Sequence, residues 1–169
     1  HMKINYFPWM FAYLVIAQTS RVNAQCDIES KLYADGTMYY FTSPLIFYNE
    51  GGRKLQGNVI TDNENYFITI TPRPFPPREE GMKLKSDAHM TLSNQKEYTL
   101  KFYDVNYAPN DTLFKITFKI EKNKLEDFLK YDAEQIIINM GKEGKHTYAI
   151  RVNKGAIKDQ LACLQNRNH

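Results

Sequence analysis

The amino-acid sequence predicts a mainly β, or α+β, fold: an antiparallel β-sandwich or sheet of roughly eight to ten short strands, with two short helices near the C-terminus. Three observations carry this. The 169 residues include 12 Tyr and 10 Phe, more than a helical bundle uses and suited to pleated surfaces. Turn-forming pairs recur at short spacing, and apolar residues alternate with polar ones between them. Only after Ile120 does the period lengthen to that of a helix.

Taken in order, Lys31–Ala34 and Thr37–Phe41 flank Asp35-Gly36, a pair suited to the positive φ angles of a two-residue hairpin turn. Pro44 interrupts the chain after this hairpin, so Leu45–Tyr48 reads as an edge strand or as a new strand after a bend. Gly51-Gly52 turns the chain, Val59-Ile60 leads to a polar turn at Asp62–Asn65, and Tyr66, Ile68 and Ile70 share one face of the next strand. Pro72–Arg78 holds four prolines and is expected to be a stiff extended connection outside any ladder, because proline has no N–H to donate. Strands resume at Ala88–Leu92 and Glu97–Tyr103. Phe114, Ile116, Phe118 and Ile120 then face one way, with Lys115, Thr117 and Lys119 opposite. Leu125, Phe128 and Leu129 mark a short helix with Asn123 as its cap. A second hairpin pairs Gln135–Met140 with His146–Asn153, placing Tyr148, Ile150 and Val152 inward. A last helix, about Gly155–Gln165, carries Ile157, Leu161 and Leu164 on one stripe, to be laid on a sheet face.

The start of the chain differs from the rest. His1-Met2 reads as a cloning remnant. Lys3 then precedes an apolar run, Tyr6–Ala17, too short to cross a bilayer, and Val22 and Ala24 stand where a signal peptidase reads. Residues 1–24 are therefore expected to be remnant and signal peptide, and residues 25–169 a single exported β-rich domain. The competing reading is an amphipathic helix packed on the domain. Cys26 comes soon after, but Gln25 stands where a lipobox needs a small residue. The junction Asn23-Ala24-Gln25 resembles export signals common in Bacteroidota, and that resemblance implies a periplasmic, cell-surface or extracellular location.

Charge and cysteine content sharpen the picture. Removing residues 1–24 takes two of the 22 basic residues and none of the 19 acidic ones, so the net charge falls from +3 to +1. A nearly neutral domain lacks the basic footprint of a nucleic-acid binder. The two cysteines, Cys26 and Cys163, are expected to pair in an oxidising compartment, stapling the N-terminal strand to the C-terminal helix. Closing so long a loop would stabilise the fold on the order of 4 kcal/mol.

Chemistry-bearing motifs are sparse. His89 and His146 fall on different strands without ligand-spaced partners. No nucleophile elbow, phosphate-binding glycine loop or His-Glu-x-x-His occurs, so no metal, cofactor or catalytic residue is expected. Carboxylates cluster in turns: Asp62 with Glu64, Glu79 with Glu80, Asp104 with Asp111. Two features point to binding instead. Phe75 stands between rigid prolines and is bracketed by Arg73 and Arg78, an apolar group either held out to a partner at small entropic cost or folded back as a lid on its own core. Asp111-Thr112-Leu113 is similar to the Asp-Ser/Thr-apolar signal for O-linked glycosylation in exported Bacteroidota proteins, and Asn110-Asp111-Thr112 matches the N-linked sequon, making Thr112 a candidate glycosylation site.

The expectation is a noncatalytic exported binding or assembly module of the periplasm or cell surface. Its partner would be another protein or a glycan of the cell envelope, not a nucleic acid, and no transmembrane segment is expected in the mature chain. The alternatives are a carbohydrate-active hydrolase whose carboxylates are assembled by the fold, and an inhibitor or immunity-type protein.

Overall fold

The structure is a computed structural model that describes residues 26–74, 85–109 and 113–167, the side chains of Leu113 and Phe114 excepted. Among these, ten strands form one antiparallel sheet: β1 (Ile28–Leu32), β2 (Met38–Thr42), β3 (Leu45–Glu50), β4 (Arg53–Thr61), β5 (Tyr66–Arg73), β6 (Ala88–Leu92), β7 (Glu97–Tyr107), β8 (Leu113–Ile120), β9 (Ala133–Asn139) and β10 (Lys145–Ala149). Two helices, α1 (Leu125–Lys130) and α2 (Ala156–Asn166), lie near the C-terminal end. The strand order is β1-β2-β4-β5-β8-β7-β6-β9-β10, with β3 also paired to β4. The predicted fold class is the observed one.

Two features curl this sheet. The long strand β7 pairs with β6 through Glu97–Leu100 and with β8 through Lys101–Tyr107, so it passes from one half of the sheet to the other. At the far end the Arg151 and Val152 amides both donate to the Phe47 carbonyl of β3, at 3.1 and 3.2 Å, and Asn153 Nδ2 donates to the Ile46 carbonyl at 2.9 Å. The chain after β10 therefore meets β3, and the sheet wraps around a core that includes Phe47, Leu55, Ile68, Leu100, Phe118, Ile136 and Tyr148. Phe128 from α1 and Ile157, Leu161 and Leu164 from α2 complete it. The stripe read from the sequence is the buried face of α2, which lies against β2 and β4.

The bend at Pro44 is repaired by side chains. β2 pairs with β4 at Tyr40↔Thr61 and Phe41↔Ile60, and β3 resumes along the same edge at Leu45↔Gly57. Opposite the break, the buried Val59 amide donates to Thr42 Oγ1 at 3.0 Å and to Gln160 Oε1 at 3.1 Å. Thr42 Oγ1 donates to the Val59 carbonyl, Asn58 Nδ2 to the Thr42 carbonyl, and Gln160 Nε2 to the Ser43 carbonyl. A buried amide that loses its ladder partner must find another acceptor, and α2 supplies one from the other end of the sequence. One turn further along the same helix, Cys163 is disulfide-bonded to Cys26 with Cα atoms 5.8 Å apart. The expected staple is present.

Several expectations need correction. Pro72 and Arg73 belong to β5, opposite Leu55 and Lys54. The β5–β8 ladder has already ended at Ile70, so proline stands where the strand has a neighbour on one side only. The Asp35-Gly36 turn is a three-residue loop: the Gly36 amide donates to the Tyr33 carbonyl, the Tyr33 amide to Thr37, and only Gly36 has positive φ. The pair Gly51-Gly52 makes the two-residue turn instead, with φ of 58° and 76°. Asn123 lies inside a 3-10 turn, Lys122–Lys124, and caps nothing. Val152 is 45% exposed, because β10 ends at Ala149 and the chain swings out to meet β3.

Candidate functional site

β5 is buried on both faces. Ile68 and Ile70 point into the core as expected, but Phe67 and Thr69, on the outer face, are also only 2% and 1% exposed. Phe67 is covered by a cluster of rings: Tyr103 lies with its centroid 4.5 Å away, Tyr39 at 6.4 Å, and Tyr33 packs edge-on against Tyr39 at 4.9 Å. Phe41 lies 6.4 Å from Tyr39. Such pairs add about 0.5–1.5 kcal/mol each beyond their buried area.

Local backbone irregularity aims this cluster. The β7–β8 register slips between Phe102 and Asp104, leaving Tyr103 as an extra residue. In a regular strand Tyr103 and Asp104 would point to opposite faces. The bulge lets both line one outer groove. The hydroxyls of Tyr39 and Tyr103 meet at 3.3 Å. That hydrogen bond, helped by burial, pushes the Tyr39 phenol well above its ordinary pKa.

The groove encloses 260 Å³ and is lined by Tyr33, Tyr39, Phe41, Phe67 and Tyr103 with Asp35, Asp104, Asn106 and Lys115 among its polar groups. Tyr103 is 50% and Tyr33 43% exposed, so aromatic surface faces solvent. A second cleft of 310 Å³ shares Phe41 and Lys115 with it and reaches Arg73. Thr69 and Thr117, bonded through their hydroxyls at 3.2 Å, fill the outer face nearby. Apolar walls with a few placed polar groups are the usual makeup of a binding cleft. The arrangement offers flat apolar faces, carboxylate and amide acceptors and an ammonium donor.

The residues singled out from sequence fare differently. Arg73 is exposed and borders the second cleft. Phe75, Arg78 and Thr112 lie outside the described residues, as do Asn110, Asp111, Glu79, Glu80 and the whole of residues 1–25. His89 Nδ1 sits 3.3 Å from Glu97 and His146 Nε2 sits 3.4 Å from Glu143, on separate strands. Asp62 is used by its own turn, accepting from the Glu64 and Asn65 amides at 2.9 and 2.6 Å. Asp104 shares the groove with Asp35, a carboxylate the sequence did not pair with it. Among the described residues no group of three or more His, Cys, Asp or Glu is placed to hold a metal, and no helix is long and apolar enough to cross a membrane. Sequence reasoning missed the aromatic groove. Its one legible sign was Phe67 at a position whose alternation assigned it to water.

No family model, no curated protein and no solved structure matches this chain.

Proposed function

We propose that this chain is a noncatalytic exported module of the periplasm or cell surface, which binds a protein or glycan of the cell envelope in the aromatic groove on the outer face of its sheet. The carrying observation is the ring cluster Tyr33, Tyr39, Phe67 and Tyr103, brought together from three separate parts of the chain and left partly open to solvent beside Asp104 and Asn106. Partly exposed aromatic groups with a polar rim are the residues on which binding energy concentrates. The Cys26–Cys163 disulfide supports an oxidising compartment. The adjoining cleft, which shares Phe41 and Lys115 with the groove, extends this surface as far as Arg73.

The presence of Asp35 and Asp104 in one groove keeps the hydrolase reading in view. A single comparison separates the two. Mature protein is used to capture partners from the native envelope, beside a Tyr33→Ala/Tyr103→Ala variant and an Asp35→Asn/Asp104→Asn variant, and the captured material is checked for cleavage. Binding lost in the tyrosine variant, with material intact, is the expected result. Cleavage abolished by the Asn variant would establish the hydrolase instead.

A further inference from the structure

We infer that β1 is a homophilic edge: two copies of this chain pair through antiparallel β1 strands about a twofold axis at Ser30. Among the described residues β1 is the first strand of the sheet and pairs with β2 alone. The phase of its ladder is set by the adjoining loop. The Tyr33 amide bonds to the Thr37 carbonyl, so Tyr33 and Thr37 form a hydrogen-bonded pair. Such pairs alternate along an antiparallel ladder, which makes Lys31↔Tyr39 and Glu29↔Phe41 hydrogen-bonded as well. The backbone groups of Ile28, Ser30 and Leu32 therefore point away from β2, to the open side.

That phase meets a self-complementary sequence. Antiparallel pairing centred on Ser30 sets Ile28 and Leu32 of one copy opposite Leu32 and Ile28 of the other as hydrogen-bonded pairs. It also sets Glu29 opposite Lys31 of the second copy, twice, at the intervening sites where side chains approach most closely. Slipping the register by two residues either way sets Glu29 against Glu29 or Lys31 against Lys31, so charge selects one alignment. Among the described residues neither group has an acid–base partner within the chain; Lys31 only rests over the Tyr33 ring at 5.3 Å. Leu32 is 62% exposed, the most exposed large apolar side chain among the described residues, and this pairing covers it with Ile28.

A lysine on an edge strand ordinarily keeps other strands away. Here Glu29 on the same face converts that repulsion into a matching pair. The disulfide fixes the chain two residues before β1, which lowers the entropy lost when the edge becomes ordered. Because Glu29 and Lys31 share the outer face with Phe41 and Tyr39, the twofold axis would also join the aromatic grooves of both copies into one surface. A five-residue strand buries less than a standard interface, so the dimer is weak and concentration-dependent.

Sedimentation equilibrium on the oxidised chain, over roughly 10 µM to 1 mM, tests the inference. Wild type is expected to dimerise. Glu29→Lys alone and Lys31→Glu alone are each expected to stay monomeric, since each sets like charges together. Mixing those two variants is expected to give a heterodimer, and the double exchange Glu29→Lys/Lys31→Glu to restore the homodimer. Ser30→Pro removes an outward amide and should abolish pairing while the β1–β2 ladder persists. A wild type that is monomeric throughout, or dimers indifferent to these charge exchanges, would overturn it.

Discussion

The repair of the Pro44 bend yields a sharp quantitative test. The buried Val59 amide has two acceptors, Thr42 Oγ1 at 3.0 Å and Gln160 Oε1 at 3.1 Å, from opposite ends of the sequence. Replacing Gln160 by Leu keeps the volume within α2 and leaves the amide on Thr42. The loss is then one shared bond to Val59 and one to the Ser43 carbonyl, which solvent can partly replace, about 1–2 kcal/mol. Thr42→Val removes Oγ1 as acceptor and as donor to the Val59 carbonyl, again about 1–2 kcal/mol. The double variant strands a buried amide with neither acceptor and incurs its full desolvation cost, a further ~1–3 kcal/mol above the sum of the singles. Urea unfolding of all four proteins, with the disulfide intact, measures this coupling directly. At about 3 °C of melting temperature per kcal/mol the excess is also readable thermally. Additivity within ~0.5 kcal/mol would refute the claim that side chains stand in for the broken ladder.

Further consequences can be checked separately. Gly57→Ala would place a Cβ 2.5 Å from the Thr69 carbonyl oxygen and 2.9 Å from Phe47 Cε2, so a loss of about 2–3 kcal/mol is expected by thermal unfolding. Reducing Cys26–Cys163, whose residues are 137 apart, should cost about 2–5 kcal/mol, read as a lower urea midpoint in the presence of reductant. The Phe102 amide and the Lys101 ammonium hold the Asp87 carboxyl below its usual range. Its stabilisation is therefore fully present above about pH 4 and is lost as pH falls through the lower folded value. An Asp87→Asn variant should be less stable at neutral pH and approach wild type in acid, as an unfolding series across pH will show. Tyr103→Ala should leave the fold standing, since the side chain is half exposed, while abolishing partner capture.

Much of the fold was legible in the sequence, because alternation, turn residues and the Ile157–Leu161–Leu164 stripe are local signals. The two cysteines also carried their own meaning. What was hidden depends on neighbours. Pro72 continues a strand only because β8 has already left β5, and Val152 turns outward only because Phe47 waits to accept its amide. Gln160 looked like an ordinary polar helix residue, yet its role is set by a break between β2 and β3 more than a hundred positions earlier. The groove is hidden for the same reason. A single strand shows Phe67 alternating away from the core, whereas the register of β2, β5 and β7 and the bulge at Tyr103 decide that other rings cover it.

Backbone amide NMR of the isotopically labelled protein, titrated with the cell-envelope protein or glycan that the proposed function assigns to it, puts the groove to its most direct trial. Shifts concentrated at Tyr33, Tyr39, Phe67, Tyr103 and Asp104 are the predicted result. Shifts confined to other faces of the sheet, with these five unmoved, would contradict it.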